Sequence, residues 1–327
     1  MSADKPILWS VKPLVVVGIG EVLWDVYPDS AHFGGAPANF VSHAASLGAE
    51  SWMVSAVGAD EAGEKAMRTL ASLGVRCDLV ARDPQHPTGE VRVMLDAQRV
   101  PTYTIAPDSA WDHIAWSDEL SKFAARCDAV CFGTLAQRSP ESRATIRRFL
   151  EEVPRTALRI FDVNLRQRYY DPETIDASLR LASAVKMNEE ELAEISTLLD
   201  IVRPTRRQVM RRLMDRYNLQ LAALTRGAEG ALLFDETDED ETAAPGTIVV
   251  DTVGAGDAFT AAMVVDYLRD LPLPLINRHA NAVAALVCSQ IGGTPAPRSG
   301  VDRDHPIDSG IGANVGQAVE LHRRLEN

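Results

Sequence analysis

The sequence feature that most constrains the fold is the heptapeptide Asp-Thr-Val-Gly-Ala-Gly-Asp at residues 251–257. A β-branched run at 247–250 precedes it, and a long apolar run at 258–265 follows it. This order predicts a strand, a tight glycine turn and a buried helix. The first amides of a helix have no partner within it, and with the helix dipole they form an anion site. We therefore predict an anion-binding turn at residues 254–256.

Asp257 falls on the first turn of this predicted helix. The helix dipole favours its ionised form, so it could accept a proton from an alcohol beside the anion. An anion cradle next to a carboxylate base suits transfer of a phosphoryl group to a hydroxyl. We predict that Asp257 is the general base and that the amides of Gly254, Ala255 and Gly256 stabilise the transferred charge. An ordinary strand-to-helix turn with an N-terminal Asp is the alternative.

A second glycine-containing segment, Gly-Gly-Ala-Pro-Ala-Asn-Phe at residues 34–40, precedes an apolar helical pattern that stops at Gly48. Gly34 and Gly35 would let a ligand touch the main chain. Asn39 offers both donors and acceptors, which suits sugar hydroxyls. The alternative is a helix start that places Asn39 on a polar face.

Together, in this order and far apart, the two segments resemble the signatures of the ribokinase-like (PfkB) carbohydrate kinases. The resemblance covers roughly residues 14–300. It implies a three-layer α/β/α fold with a mainly parallel sheet, and an activity that transfers a phosphoryl group from ATP, with Mg²⁺, to a sugar. It also implies that Asp257 is the catalytic base, that residues 254–256 form the anion hole, and that Gly34, Gly35 and Asn39 bind the sugar.

Strand-like and helix-like segments alternate along most of the chain, which favours a mainly parallel sheet covered on both faces. The acidic run 235–241 is predicted to be a surface turn, and Pro172 is predicted to lie in a turn. No long linker is present, so residues 1–327 are expected to form a single domain.

Two segments, about 21–36 and 88–107, are strand-like without intervening helices. In the family that the chain resembles, such segments form a small β-sheet lid that covers the sugar and excludes water. Family lids also often build a dimer interface, so a homodimer through the lid is expected. An ordinary exposed hairpin is the alternative.

Further positions match family motifs on the substrate and magnesium sides. Asp25 matches the sugar-hydroxyl acceptor, although a surface carboxylate is the alternative. Arg166, in Asp-Val-Asn-Leu-Arg at 162–166, could bind a phosphate or a substrate carboxylate, with a structural ion pair as the alternative. Asn188 and Glu191 match a pattern that organises magnesium, water and phosphate, so Glu191 is expected to contact Mg²⁺ through water. A helix N-cap fits the same residues equally well.

The resemblance also implies a nucleotide site and a cation site. It assigns ATP binding to Asn164, Asn188, Thr225, Gly227 and Asn281. Asp251 and the Val253 carbonyl match a monovalent-cation site, with K⁺ as its ion, which is found in many members of the family.

The composition excludes several other classes of protein. The 327 residues carry a net charge of -13, with a sequence pI of about 5.0. A surface this acidic repels nucleic acid and anionic lipid, so neither is expected as a partner. No secretory signal is visible, and no run reaches the ~18 apolar residues that a membrane span needs. Four cysteines form no disulfide framework in a chain of this length. A cytoplasmic protein is expected.

Other enzyme classes fit the sequence poorly. The chain lacks GxxxxGK[ST], so it is not a P-loop kinase. Gly18-Ile19-Gly20 follows a predicted strand, but Leu23 occupies the third glycine position and no helix follows, which argues against dinucleotide binding. A catalytically silent sugar-binding protein would be expected to lack the base, and Asp257 is present.

Within the family, the residues most resemble those of fructokinases. Gly-Glu-Val-Leu-Trp-Asp at 20–25 and Gly-Gly-Ala-Pro-Ala-Asn at 34–39 carry this likeness. The ribokinase-type signature has Lys and Gly where this chain has Ala36 and Pro37. We therefore expect phosphorylation of D-fructose to fructose 6-phosphate, with 2-keto-3-deoxygluconate kinase and ribokinase as alternatives.

Overall fold

The computed structural model describes residues 13–95 and 101–294. The strands in these ranges are β1 (Val15–Ile19), β2 (Leu23–Val26), β3 (Ala31–Gly34), β4 (Glu50–Gly58), β5 (Val80–Asp83), β6 (Gly89–Leu95), β7 (Pro101–Ile105), β8 (Ala129–Phe132), β9 (Leu158–Asp162), β10 (Ala184–Asn188), β11 (Leu221–Thr225), β12 (Ala231–Asp235) and β13 (Glu239–Thr242). The α-helices are α1 (Ala36–Ser46), α2 (Glu61–Ser72), α3 (Asp118–Ala124), α4 (Pro140–Glu152), α5 (Pro172–Leu181), α6 (Glu189–Leu198), α7 (Arg206–Tyr217), α8 (Ala255–Tyr267) and α9 (Leu273–Cys288).

Nine of these strands form one sheet in the order β13-β12-β11-β10-β9-β8-β1-β4-β5. The pairs from β11 to β5 are parallel, and β12 and β13 add an antiparallel edge. β1 lies in the interior, where Val16 pairs with both Ser51 of β4 and Ala129 of β8. The chain leaves β1 toward β4 on one side and later returns to β8 on the other. Open α/β sheets place ligands at the carboxyl ends of strands beside such a reversal.

Helices cover both faces of the nine-stranded sheet, which confirms the predicted three layers. One apolar core contains Phe149 of α4 and Leu213 of α7, and the other contains Phe40 of α1 and Met263 of α8. Residues 258–265 of α8 are all buried, because this helix packs against α1 and α9 as well as against the sheet. A helix that is apolar all round is expected in such a position.

A separate four-stranded sheet has the order β3-β2-β6-β7 and is built from the two segments predicted for the lid. β2 runs parallel to β6, and the outer pairs are antiparallel. Trp24 of β2 and Phe33 of β3 are paired residues whose rings meet edge to face at 5.5 Å. The second sheet is therefore confirmed, while its closure over a sugar and its part in a dimer stay predictions.

Three local predictions were wrong. Residues 247–250 are not a strand: Ile248 is 84% exposed, and Val250 N donates to the Cys288 carbonyl instead of pairing with a strand. The acidic run is not only a turn, because it enters β13, where Arg207 contacts Glu239 and Glu241.

The third correction concerns Pro172, which begins helix α5 rather than lying in a turn. Asp171 is the N-cap and accepts a hydrogen bond of 2.7 Å from Thr174 N. Proline fits the first helical position because its missing N–H would have no partner there.

All described residues belong to one structural unit. The expectation of a single domain for 1–327 also covers residues outside the described ranges and stays a prediction. Among the described helices, none combines the length and the apolar character that a membrane crossing requires.

Candidate active site

A cleft of about 930 Å³ lies between the nine-stranded sheet and the smaller sheet. Asn188 and Thr225, the last residues of β10 and β11, line it from the larger sheet. Val91, Tyr103 and Ile105 line it from the smaller one. Apart from Gly34 and Asp251, every residue predicted for the site lines this cleft.

The predicted anion turn forms the N-terminus of α8. Gly254 is the N-cap with φ 75° and ψ -5°, a left-handed conformation that glycine adopts without strain. A Cβ on this residue would lie 2.3 Å from the Gly293 carbonyl oxygen, so the close approach also requires glycine. No side chain of the described residues caps the helix here. The leading amides of α8 are therefore oriented toward any anion that enters the cleft.

Asp257 lies on the first turn of α8 and is held from the opposite side of the cleft. Nδ2 of Asn39, in α1, donates a hydrogen bond of 2.8 Å to Asp257 Oδ2. Burial, and then the nearby Asp162 carboxylate, raise the pKa of Asp257 to about 6, while Lys186 acts in the opposite direction. A carboxyl with this pKa is ionised at neutral pH yet basic enough to accept a proton.

Lys186 and Asp162 form a buried ion pair beneath the anion turn, and the sequence analysis did not select either residue. Lys186 Nζ lies 3.2 Å from Asp162 Oδ1, and the hydroxyl of Thr260 in α8 donates to Asp162 Oδ2 at 2.9 Å. A Cβ on Gly256 would lie only 2.7 Å from Lys186 Nζ. The ammonium group therefore adds positive charge directly beside the helix N-terminus.

The sequence did contain a signal for this pair. Lys186 interrupts the apolar run of β10, where it stands between Val185 and Met187. Lysine is almost never fully buried unless it is paired. Burial alone would lower the pKa of Lys186, but the surrounding carboxylates raise it, and Asp162 contributes the largest part of that rise.

The sugar end of the cleft contains two further carboxyl groups. Burial raises the pKa of Asp25 to about 6, and Arg166 opposes that shift. Glu21 was not predicted as a site residue; it is 2% exposed, and burial raises its pKa to about 7. Its Oε1 accepts a hydrogen bond of 3.3 Å from Ala36 N, and its Oε2 has no partner among the described residues.

Gly34 and Gly35 bring the start of α1 close to β2. Gly35 has φ 108°, and a Cβ there would lie 2.4 Å from the Glu21 carbonyl oxygen. A Cβ on Gly34 would lie 2.9 Å from Asp25 Oδ2. The two glycines therefore shape the backbone around the carboxyl groups, and Gly35 is the one that lines the cleft.

Asn164 and Arg166 follow β9 on a loop at the mouth of the cleft. Asn164 has φ 41°, a conformation that asparagine tolerates better than most residues. Arg166 is exposed, and its guanidinium donates to the Leu165 carbonyl. No carboxylate of the described residues lies within salt-bridge distance of Arg166, although its charge acts on Glu21 and Asp25. It is therefore available to an incoming group.

Asn188 and Glu191 form a capping box at the start of α6. Asn188 Oδ1 accepts from Glu191 N at 2.8 Å, and Glu191 Oε2 accepts from Asn188 N at 2.8 Å. Glu191 Oε1 accepts a third bond, of 3.1 Å, from Leu165 N. The N-cap interpretation is thus confirmed. A carboxylate with about four acceptor sites can still receive water from hydrated Mg²⁺, so the residues present fit an indirect contact.

The far end of the cleft is open and contains the residues expected to bind nucleotide. Thr225, Gly227 and Asn281 line it. Gly227 has φ 55°, and a Cβ there would have no heavy atom within 4 Å, which leaves room for a ligand against the main chain. The Asn281 amide donates to the Asn277 carbonyl at 2.9 Å.

The proposed cation residues shape the loop before α8. Asp251 Oδ1 accepts from Val253 N at 3.0 Å, and Oδ2 accepts from Gly292 N at 3.0 Å. The carboxylate thus joins the loop to the chain after α9. Its use of a monovalent cation stays a prediction.

Comparison with known proteins identifies the family. The model of the pfkB family carbohydrate kinases matches residues 25–299. The chain belongs to this family. A fructokinase from Klebsiella pneumoniae is 33% identical over 258 residues, which cover 75% of this chain and 82% of the relative. An aminoimidazole riboside kinase from Salmonella typhimurium is 28% identical over 267 residues, which cover 77% and 80%.

Solved structures agree with this assignment. The crystal structure of an uncharacterized sugar kinase from Pyrococcus horikoshii in complex with ATP matches this sugar kinase with a TM-score of 0.73 at 27% identity. The match covers 86% of this chain and 95% of that one. The predicted ribokinase-like fold is therefore confirmed.

Proposed function

We propose that this sugar kinase transfers the γ-phosphoryl group of MgATP to the 6-hydroxymethyl group of D-fructose. Asp257 accepts the hydroxyl proton as the new O–P bond forms, and the bond to ADP breaks. The amides of residues 254–256, with Lys186 beneath them, stabilise the charge on the transferred group. The ATP complex of the Pyrococcus relative supports ATP as the donor, and the Klebsiella relative supports fructose as the acceptor.

One observation carries the proposal: a single turn of α8 presents both the anion site and the base. Asp257 follows Gly254 by three residues, and Asn39 holds its carboxylate toward the sugar end. Asn39 Oδ1 has no hydrogen-bond partner among the described residues. An acceptor hydroxyl beside it would lie next to both the base and the phosphoryl group, as in-line transfer requires.

The charges at the sugar end favour a neutral substrate. The carboxylates of Asp25 and Asp257, joined by Glu21 wherever it has lost its proton, outnumber the single guanidinium of Arg166, and the Lys186 ammonium is already paired with Asp162. A sugar acid would bring another negative charge into this group, which like-charge repulsion disfavours. Fructose and ribose carry no such charge, so the electrostatics favour them over 2-keto-3-deoxygluconate.

The substrate is tested by coupled ADP release with MgATP and a panel of acceptors. The panel contains fructose, ribose, 2-keto-3-deoxygluconate, adenosine, aminoimidazole riboside and a blank without acceptor. The largest kcat/KM is expected for fructose. A larger value for another acceptor would replace fructose, and no stimulation by any acceptor would favour a protein that binds sugar without turnover.

The base is tested by Asp257→Asn. The variant keeps the size and the hydrogen bond to Asn39 but cannot take a proton, so kcat should fall by ~10²–10⁴-fold while substrate binding persists. Asp270→Asn, an exposed position just after α8, is the matched control and should retain full activity. Turnover by Asp257→Asn at the control's rate would exclude the assigned role.

A further inference from the structure

Two histidines and three carboxylates meet where the smaller sheet joins the rest of the molecule. His86 lies three residues before β6, and Asp108 lies three residues after β7. His113 ends a short 3₁₀ helix, Ala110–His113, that follows. The cluster therefore spans both chain segments that enter and leave the β6–β7 hairpin.

The two imidazole rings have matching surroundings. They stack with centroids 3.6 Å apart and planes 10° from parallel. His86 Nδ1 lies 2.7 Å from Asp83 Oδ2, and His113 Nδ1 lies 3.1 Å from Glu141 Oε2. Each Nδ1 therefore lies within hydrogen-bond distance of a carboxylate of its own.

Both remaining nitrogens face a single carboxylate. His113 Nε2 lies 2.8 Å from Asp108 Oδ1, and His86 Nε2 lies 3.8 Å from the same atom. The three residues offer ligand atoms that all lie within 4.8 Å of one another. Three atoms of the kinds that bind divalent metal ions are therefore gathered at one point.

One divalent ion at this point would be shared by both Nε2 atoms and the carboxylate. Hydrogen bonds from Nδ1 to carboxylates are the usual second contact of histidines that bind metals.

We propose that His86, Asp108 and His113 form a binding site for a divalent transition-metal ion, with Zn²⁺ as the best match. Imidazole nitrogen suits Zn²⁺ better than Mg²⁺, and two histidines with one carboxylate leave a fourth position for water. Zn–N bonds of about 2.1 Å require ligand atoms about 3.4 Å apart. The rings must therefore tilt out of their parallel stack. Such movement is feasible because His86 and Asp108 lie in loops, His113 is the last residue of a short 3₁₀ helix, and Asp108 is 72% exposed.

The bound ion would cross-link the two segments that support the β6–β7 hairpin. This site is separate from the cleft, since none of its three ligands lines the cleft. The inference does not depend on which sugar the kinase phosphorylates.

The test is a Zn²⁺ titration of metal-free, full-length protein by calorimetry, without nucleotide and in a large excess of Mg²⁺. His86→Gln and His113→Gln remove one ligand each. His32→Gln, a histidine of β3 that contacts Ser30, is the matched control. Cys77→Ser and Cys288→Ser test binding by the two partly exposed thiols. Asp83→Asn keeps all three ligands but replaces the carboxylate that lies 2.7 Å from His86 Nδ1 with a neutral amide, which weakens that hydrogen bond.

One Zn²⁺ per chain is expected for the wild type, for His32→Gln and for both cysteine variants. Affinity should fall by at least ~100-fold in the two ligand variants and by ~10–100-fold in Asp83→Asn. Replacing Zn²⁺ with Co²⁺ should give a visible absorption band that the ligand variants lack. Absence of binding by the wild type, or equal binding by the ligand variants, would overturn the proposal.

Discussion

The turn that begins α8 yields the sharpest prediction, since Gly254→Ala should reduce catalysis more than it reduces stability. The added Cβ would lie 2.3 Å from the Gly293 carbonyl oxygen and 2.4 Å from Gly293 Cα, both backbone atoms. Real Cβ contacts stay above 3.0 Å, so the turn must move by at least about 0.7 Å. Displacement of a catalytic group by about 1 Å can lower turnover about 10²-fold. We expect a loss of that size in kcat.

The assay measures kcat and KM by coupled ADP release and the free energy of unfolding by urea. Two variants separate the causes of any loss. Gly74→Ala lies outside the cleft and has a similar positive φ, 84°, and its new Cβ would meet only Ala45 Cβ at 3.8 Å, an ordinary contact, so it tests backbone strain alone. Gly246→Ala has neither a positive φ nor a close neighbour and tests the change of residue type.

The two causes predict different patterns. Left-handed strain should reduce the stability of Gly254→Ala and Gly74→Ala similarly, by roughly 1–2 kcal/mol. Only Gly254→Ala should lose kcat about 10²-fold, because only its Cβ displaces the anion site. If Gly254→Ala turned over as fast as Gly246→Ala, the close fit of the turn would not be needed for catalysis.

The remaining predictions concern charge. Because Asp257 must be ionised, kcat/KM should rise with pH through about 6, and a flat profile from pH 5 to 8 would exclude it as the base. Lys186→Met leaves Asp162 buried without its partner, so the free energy of unfolding should fall by about 3–5 kcal/mol. Because Lys186 lowers the pKa of Asp257, its loss should also move the rise in kcat/KM to higher pH. Lys186→Arg should largely restore the wild-type pH profile. The pKa of Glu21 is about 7 in the folded protein and 4.5 in the unfolded chain, so only the folded protein keeps this proton between those two pH values. As the pH rises through that window, the free energy of unfolding should therefore fall by on the order of 3 kcal/mol. Urea unfolding at pH 4.5 and 8 should show that Glu21→Gln weakens this dependence.

The sequence predicted the parts of the site that depend on neighbouring residues. The turn at 254–256 and the capping box of Asn188 and Glu191 each form within one short segment. Their residue types determine the local geometry whatever the rest of the chain does. The layers were predictable for the same reason. Each helix and each strand shows its own spacing of buried side chains in the local sequence, about 3.6 residues in a helix and 2 in a strand.

Features that depend on distant segments could not be predicted. Residues 247–250 have the composition of a strand but pair with no described strand, and the Val250 amide instead donates to the Cys288 carbonyl at the end of α9. Glu21 became recognisable as a site residue only through its burial in the cleft, whereas Lys186 was marked in the sequence by the apolar residues on either side of it. The pairing of His86 with His113 depends on two loops that meet across the base of a hairpin.

In the proposed function, the contact between Asn39 and Asp257 brings together two short segments that lie 218 residues apart. The first segment supplies the sugar side, where Gly35 and Asn39 begin α1. The second supplies the anion turn and the base at the start of α8. Neither is sufficient alone, because the base needs an orienting donor and the donor needs a reacting group beside it. The buried faces of α1 and α8 pack together, which fixes both helix starts against the same sheet. The apolar core therefore sets the 2.8 Å contact on which proton transfer depends, and core substitutions between these helices should alter kcat before they unfold the protein.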